Sequence, residues 1–151
     1  MRLVVQRVKQ ASVTVNGKCV SSIGPGLLVL AGVSHGDTLF DARFLARKTA
    51  NLRVFQDEKG KMNRSVLDVG GAVLSVSQFT LYGNCTKGNR PSFVEAACPE
   101  EGEELFNEYV RALEKVGFPP KTGEFGADMK VELLNDGPVT LVLESSARTK
   151  E

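Results

Sequence analysis

Hydroxyl and carboxamide side chains crowd the end of one apolar run, Ser75-Val76-Ser77-Gln78-Phe79-Thr80-Leu81, and a glycine-containing stretch follows at once. Ser77, Gln78 and Thr80 at the mouth of a pocket, with backbone N–H groups beside them, could meet a carbonyl and stabilise the oxyanion that forms when it is attacked. The plainer reading makes them routine occupants of a strand, where alternation sends Gln78 and Thr80 to one face and Ser77, Phe79 and Leu81 to the other. A second group, Asn135-Asp136-Gly137-Pro138-Val139-Thr140, joins a turn signal to a proline that removes a backbone donor where a returning strand would start its ladder. A cis Gly137–Pro138 peptide costs only about 0.5–1 kcal/mol relative to trans. It would turn two adjacent carbonyls the same way, as rigid acceptors for an ammonium group. The alternative is an ordinary Gly-Pro turn.

Few other residues compete for chemistry. His35 is the single histidine, so a serine-histidine-aspartate device could draw only on it. Its Val33–Asp37 turn offers no local partner set, and it is read as non-catalytic. Asp128 and Asp136 stand at no spacing that marks a carboxylate pair. Cys19, Cys85 and Cys98 are odd in number and widely spaced, which fits neither a disulfide framework nor a zinc knuckle. Reduced thiols are expected, with no metal and no other cofactor. The triplets at Asn63 and Asn84 have the glycosylation pattern, which means little without a secretory signal.

The elements that must position these residues follow from periodicity. Alternation through Leu3–Val15 predicts a half-buried strand, and Asn16-Gly17 a two-residue hairpin turn. The continuous apolar run Gly26–Val33 reads as a central strand. From Asp37, an aspartate able to cap the first turn, Leu39, Ala42, Leu45, Ala46, Thr49 and Leu52 fall near helical spacing. Turn formers around Gly60 and Gly70 predict a short hairpin or irregular crossing. Ala72–Leu81 reads as another interior strand with Val73, Leu74, Val76 and Phe79 in the core. The basic stretch Tyr82–Phe93, carrying Lys87 and Arg90, reads as a surface loop. In residues 99–118, acidic residues open a helix whose stripe is Leu105, Phe106, Tyr109, Val110, Leu113 and Val116, and Gly117 with Pro119-Pro120 stops it. Met129–Ser145 is expected to be strand, tight turn, strand. The polar tail from Ser146 to Glu151 is expected to fray.

No repeat is evident. The order of strands, helix, strands, helix, strands argues one α+β domain over residues 1–151, with a curved, largely antiparallel, barrel-like sheet and two main helices packed against it. The 151 residues suffice for one core, and 42% hydrophobic with 25% charged residues excludes a disordered chain. The opening Met1–Gln10 interrupts its apolar residues with charge, so neither a secretion signal nor a membrane span is expected, and the cytoplasm is the default compartment. A net charge of +1 means that any nucleic acid must be held by a local patch.

Taken together and in order, Ser77–Leu81 and Asn135–Thr140 resemble the D-aminoacyl-tRNA deacylase family. The resemblance continues through Met1–Val15, Gly26–Val33, Asn51–Phe55, Lys61–Gly71, Lys87–Phe93 and Phe125–Ser145. It implies a barrel-like α+β homodimer that hydrolyses the ester of D-aminoacyl-tRNA, accepts mischarged glycyl-tRNA, and rejects L-aminoacyl-tRNA. Ser77, Gln78, Phe79 and Thr80 would surround the terminal adenosine and the scissile ester. A cis Gly137–Pro138 would reach into the partner subunit's pocket and hold the substrate amino group, leaving no room for an L side chain. Arg7 resembles the arginine that supports this motif; Phe125 and Met129 resemble residues lining the adenosine side; Lys87 and Arg90 are candidate phosphate contacts. Two accounts of the attack stay open: Thr80 as nucleophile, or the substrate's own 2′-hydroxyl assisting water. Two other functions compete. One is a related deacylase that edits an L-aminoacyl-tRNA and calls for a trans bond before Pro138. The other is a noncatalytic DNA- or RNA-binding protein that uses Lys87 and Arg90.

Overall fold

The computed structural model describes residues 1–117 and 119–145. The predicted tail lies outside them. In chain order the elements are β1 (Arg2–Val15), β2 (Lys18–Ile23), β3 (Gly26–Gly32), α1 (Leu39–Asn51), β4 (Phe55–Gln56), β5 (Met62–Arg64), β6 (Ala72–Ser77), a 3-10 turn (Phe79–Tyr82), α2 (Pro99–Lys115), β7 (Lys121–Thr122) and β8 (Lys130–Glu144).

The sheet is organised around β1. Its first half pairs antiparallel with β3 and its second half with β2, while β8 runs antiparallel along its other edge. β6 joins β3 in parallel, and β7 joins β6 in parallel. The Ser21 hydroxyl on β2 donates to the Thr122 carbonyl on β7 at 2.8 Å, which draws the free ends of the sheet together. The outcome is the expected α+β near-barrel, mixed but mostly antiparallel. Asn16 and Gly17, at φ 50° and 75°, make the predicted hairpin turn. β4 and β5 form the predicted short hairpin.

Burial explains the layering. Leu3 and Val5 of β1, with Leu27, Val29, Ala31 and Val73, pack against α1 and α2. Val8, Ala11, Val13 and Val15 fill the other side of the sheet with Leu28, Leu74 and Val76. Odd-numbered residues of β1 therefore change core partway along the strand. The change falls where the β1–β8 register slips, between Gln6 and Val8 and again between Val8 and Gln10. Arg7 sits at this crossover. A strict two-residue period would have kept one face throughout.

Three sequence expectations are corrected here. Asp37 does not cap α1; the N-cap is Thr38, whose backbone N–H and hydroxyl both donate to the Asp41 carboxylate, at 2.7 and 3.0 Å. Asp37 instead accepts from the Ser34 backbone N–H and hydroxyl. β6 stops at Ser77 rather than Leu81, and Phe79 is 58% exposed on the 3-10 turn rather than in the core. Finally, Met129–Ser145 is not a hairpin: β8 continues along β1 in one direction across Gly137 and Pro138.

Close approach of backbones fixes one glycine. A Cβ on Gly26 would lie 1.9 Å from the Ala72 carbonyl oxygen on β6, whereas one on Gly24 would meet nothing within 4 Å. Gly26→Ala is expected to cost roughly 3 kcal/mol or more by forcing β3 and β6 apart, and Gly24→Ala to stay within about 0.5 kcal/mol. Urea unfolding midpoints of the two variants check the difference, and equal midpoints would refute the close β3–β6 contact.

Candidate functional site

Ser77 is the last residue of β6 and pairs with Ala31 of β3; the Gln78 N–H then makes a final rung to the Ala31 carbonyl at 2.8 Å. Beyond it the chain tightens into the 3-10 turn, which packs on Gly32. A Cβ there would come within 3.0 Å of the Gln78 carbonyl oxygen and of Leu81 Cβ. The Arg2 guanidinium fastens the far end of the turn. It donates to the Leu81 carbonyl at 2.7 Å and stacks over the Tyr82 ring, 4.7 Å from its centroid. Burial pushes the Tyr82 phenol above its ordinary pKa. So held, the Gln78 carboxamide donates to the Thr80 hydroxyl. Among the described residues no histidine, lysine or carboxylate is hydrogen-bonded to Thr80. His35 faces Glu101 at 3.9 Å, away from it.

Below the turn opens a cavity of about 530 Å³. Ser77, Gln78 and Phe79 line it together with Phe125 and Met129. Phe79 stacks edge-on against Phe93 with centroids 5.2 Å apart, and Phe125 leans on Phe106 of α2. The chemistry is thus divided: planar apolar walls suited to an aromatic ring, and a rim of hydroxyl and carboxamide groups suited to an ester. Sequence reasoning missed the wall formed by residues 93–99, which the Ala97 N–H ties to the Val33 carbonyl at 3.0 Å. No local pattern could have found it, because the pairing is long-range.

Arg7, Gly137 and Pro138 form a separate cluster and do not line this cavity. Val8 pairs with Asn135 and Gln6 with Thr140, so four residues of β8, Asp136 to Val139, stand opposite Arg7 alone. They loop out, with Gly137 and Pro138 exposed and the peptide between them cis. Two side chains close the loop. Asn135 accepts from the Val139 N–H at 2.8 Å and donates to the Val139 carbonyl and the Thr140 hydroxyl, standing in for the missing ladder. Arg7, only 7% exposed, donates from Nε to the Asp136 carbonyl at 2.9 Å and from Nη1 to the Val54 carbonyl. Its Nη2 lies 3.1 Å from where a Gly137 Cβ would stand. The sequence reading assigns Asn135 no role; an asparagine ahead of a Gly-Pro turn is the signal that points to one. Lys87 and Arg90 are exposed on the loop between Gly83 and Phe93, outside the cavity lining, as a surface loop predicts.

An α+β near-barrel whose strand end sets hydroxyl and carboxamide groups over an aromatic-walled cavity has the makings of a deacylase domain. The chain belongs to the D-Tyr-tRNA(Tyr) deacylase family, whose model matches residues 4–144. It is 59% identical over 145 residues to a D-aminoacyl-tRNA deacylase of Halalkalibacterium halodurans, covering 96% of this chain and 99% of that one. It is 57% identical over 148 residues to a D-aminoacyl-tRNA deacylase of Thermus aquaticus, covering 98% and 97%. A solved structure described as a c-Myc DNA unwinding element binding protein is 48% identical, with a TM-score of 0.91 over 95% of this chain and 98% of that one. A probable eukaryotic D-amino acid tRNA deacylase, 16% identical, shares the fold with a TM-score of 0.79 over 95% of this chain and 98% of that one.

The loop gives a test of its own. Removing Asn135 or Arg7 singly leaves buried backbone groups unpaired, at about 1–3 kcal/mol each. Because both brace one loop, Asn135→Ala and Arg7→Met are expected to be non-additive by at least about 0.5 kcal/mol in a double-mutant cycle. Strict additivity would show that the two side chains act on independent parts of the fold.

Proposed function

We propose that this chain hydrolyses the ester bond of D-aminoacyl-tRNA, and of mischarged glycyl-tRNA, releasing free amino acid and tRNA while leaving L-aminoacyl-tRNA intact. Family membership over residues 4–144 carries this reading. In it, the cavity takes the terminal adenosine against Phe79, Phe125 and Met129. Ser77, Gln78 and Thr80 then stand at the ester. Gly137 and Pro138 take the amino group through their carbonyls and refuse an L side chain by steric clash. Glycine, having no side chain, passes.

Because the loop does not line the cavity of its own chain, the reading requires a second copy, with each loop entering the other's cavity. The exposed surface of β8 supports a homodimer. Among the described residues the strand pairs with β1 alone, and Leu134 and Val142 are 54% and 60% exposed along it. A long apolar edge strand left in water invites pairing with another chain. The cytoplasm, where charged tRNA circulates, is the compartment proposed.

The attack is assigned to water assisted by the substrate's 2′-hydroxyl, with the protein supplying position and hydrogen bonds. Thr80 has the hydroxyl for a nucleophile but, among the described residues, no hydrogen-bonded base to activate it. DNA binding is the second reading, favoured by the likeness to the DNA unwinding element binding protein. It draws on Lys87 and Arg90.

Hydrolysis of D- and L-tyrosyl-tRNA by the purified protein, each against its spontaneous decay, tests the proposal. Loss of the D ester alone is expected. Loss of the L ester would indicate an L-editing deacylase, and loss of neither a noncatalytic binder. Thr80→Ala is expected to keep kcat/KM within about tenfold, where removing a true serine nucleophile costs on the order of 10⁶. A substrate ending in 2′-deoxyadenosine is expected to be cut poorly by the wild type, and equal cutting would return the attack to Thr80.

A further inference from the structure

We infer that the β4–β5 hairpin is an RNA-backbone contact, through Lys59 and Lys61, for the same substrate whose amino group the Gly137–Pro138 loop holds. The inference rests on the proposed role of that loop. Its starting point is the distribution of charge. Between residues 53 and 64 the chain carries Arg53, Lys59, Lys61 and Arg64 against Asp57 and Glu58, a net of +2. The loop from Gly83 to Phe93 is also +2, from Lys87 and Arg90 without any carboxylate. The whole chain is only +1, so everything outside these two segments sums to −3. A polyanion meets attraction in those two places and repulsion on average elsewhere.

The carboxylates of the hairpin are already committed. Asp57 Oδ1 accepts the backbone N–H groups of Lys59 and Lys61 at 2.8 and 3.0 Å, and Oδ2 accepts from the Asn63 carboxamide at 3.3 Å. These bonds, the Lys61 N–H foremost, hold the Asp57 carboxyl below the usual carboxylate range. Glu58 is paired with Arg64, and Arg53 donates to the Asn63 carboxamide oxygen. Gly60, at φ 77°, and the Asp57–Lys61 backbone pair complete the turn. The tip is thus braced from within, while Lys59 and Lys61 are exposed and neither ammonium has a carboxylate partner among the described residues.

Arg7 sets the position of the tip. One guanidinium holds both the Asp136 carbonyl at the start of the Gly-Pro loop and the Val54 carbonyl at the root of the hairpin. Lys59 and Lys61 stand five and seven residues beyond Val54 and, at ~3.3 Å per residue, their backbones lie no more than about 17 and about 23 Å from the bracket. Wherever the loop meets the esterified end of a tRNA, the two ammonium groups are carried to within a few nucleotides of it. In a dimer with exchanged loops, Lys87 and Arg90 come from the subunit that owns the cavity and Lys59 and Lys61 from the other. The single-stranded RNA end then runs between two positive segments.

The double variant Lys59→Gln, Lys61→Gln tests this with D-tyrosyl-tRNA, with D-tyrosyl-adenosine, which has no phosphates, and with uncharged tRNA in a fluorescence-anisotropy titration. Loss of two phosphate contacts is expected to raise KM for D-tyrosyl-tRNA about tenfold with kcat unchanged, and to flatten the logarithmic salt dependence by about 1.4. The rate on D-tyrosyl-adenosine should not move. An unchanged KM, salt slope and tRNA affinity would overturn the inference. So would an equal loss on D-tyrosyl-adenosine, which would mean that the hairpin merely supports the loop. If the wild type cleaves neither D ester, the functional reading fails instead, and the tRNA titration still decides whether Lys59 and Lys61 contact RNA.

Discussion

A buried guanidinium has to be answered on every side, and the way Arg7 is answered organises much of this molecule. It lies 9% exposed by side chain at the crossover of β1, where the strand passes from one core to the other. Its charge is balanced by Asp136 at 3.8 Å, a carboxylate that also receives Lys9 at 3.5 Å. Two of its N–H groups donate to carbonyls from distant parts of the chain. Hydrogen bonds from an ion are stronger than neutral ones, and breaking a buried charged contact is costly because the remaining partner is stranded. A lysine would offer a point charge in place of the fork that spans both acceptors.

The same place in the sheet explains why a loop can leave the middle of a strand without ending it. Four residues of β8 opposite one of β1 would ordinarily expose a gap in the ladder. Asn135 fills that gap with an amide that pairs with the Val139 peptide in both directions. Strand pairing resumes at Thr140. The excursion is therefore shaped by side chains at both sides of its base, and its apex, Gly137 and Pro138, is left exposed. Bracing from the base leaves the apex exposed, as the proposed discrimination by shape requires.

The cavity is built by a different logic. Its walls are aromatic and aliphatic, its rim carries Ser77 and Gln78, and Arg2 holds the 3-10 turn by the Leu81 carbonyl. Among the described residues no histidine, lysine or carboxylate is hydrogen-bonded to Thr80. In the proposed reading such a site places a substrate rather than attacking it, and rate comes from orientation and hydrogen bonding. The cavity and the Gly137–Pro138 loop lie on separate parts of one chain, which is what makes a second copy part of the proposed mechanism.

Local patterns in the sequence determined most of the elements. Alternation in β1, the Asn16-Gly17 turn, the apolar run of β3 and the stripe of α2 all correspond to what is observed, because each depends on neighbours within a few residues. The motifs at Ser77–Thr80 and Asn135–Thr140 were legible as candidates for the same reason. Their arrangement was not. That β6 ends at Ser77, leaving Phe79 exposed, depends on the close approach of the 3-10 turn to Gly32, a residue more than forty positions earlier. That Gly137 and Pro138 interrupt a continuing strand, rather than turn a hairpin, depends on β1 lying alongside both halves of β8. Val54 shares Arg7 with the loop although nothing in its own neighbourhood marks it. Periodicity records which face of an element is apolar, but which elements meet is decided by packing over long sequence separations, and only the folded chain carries that information.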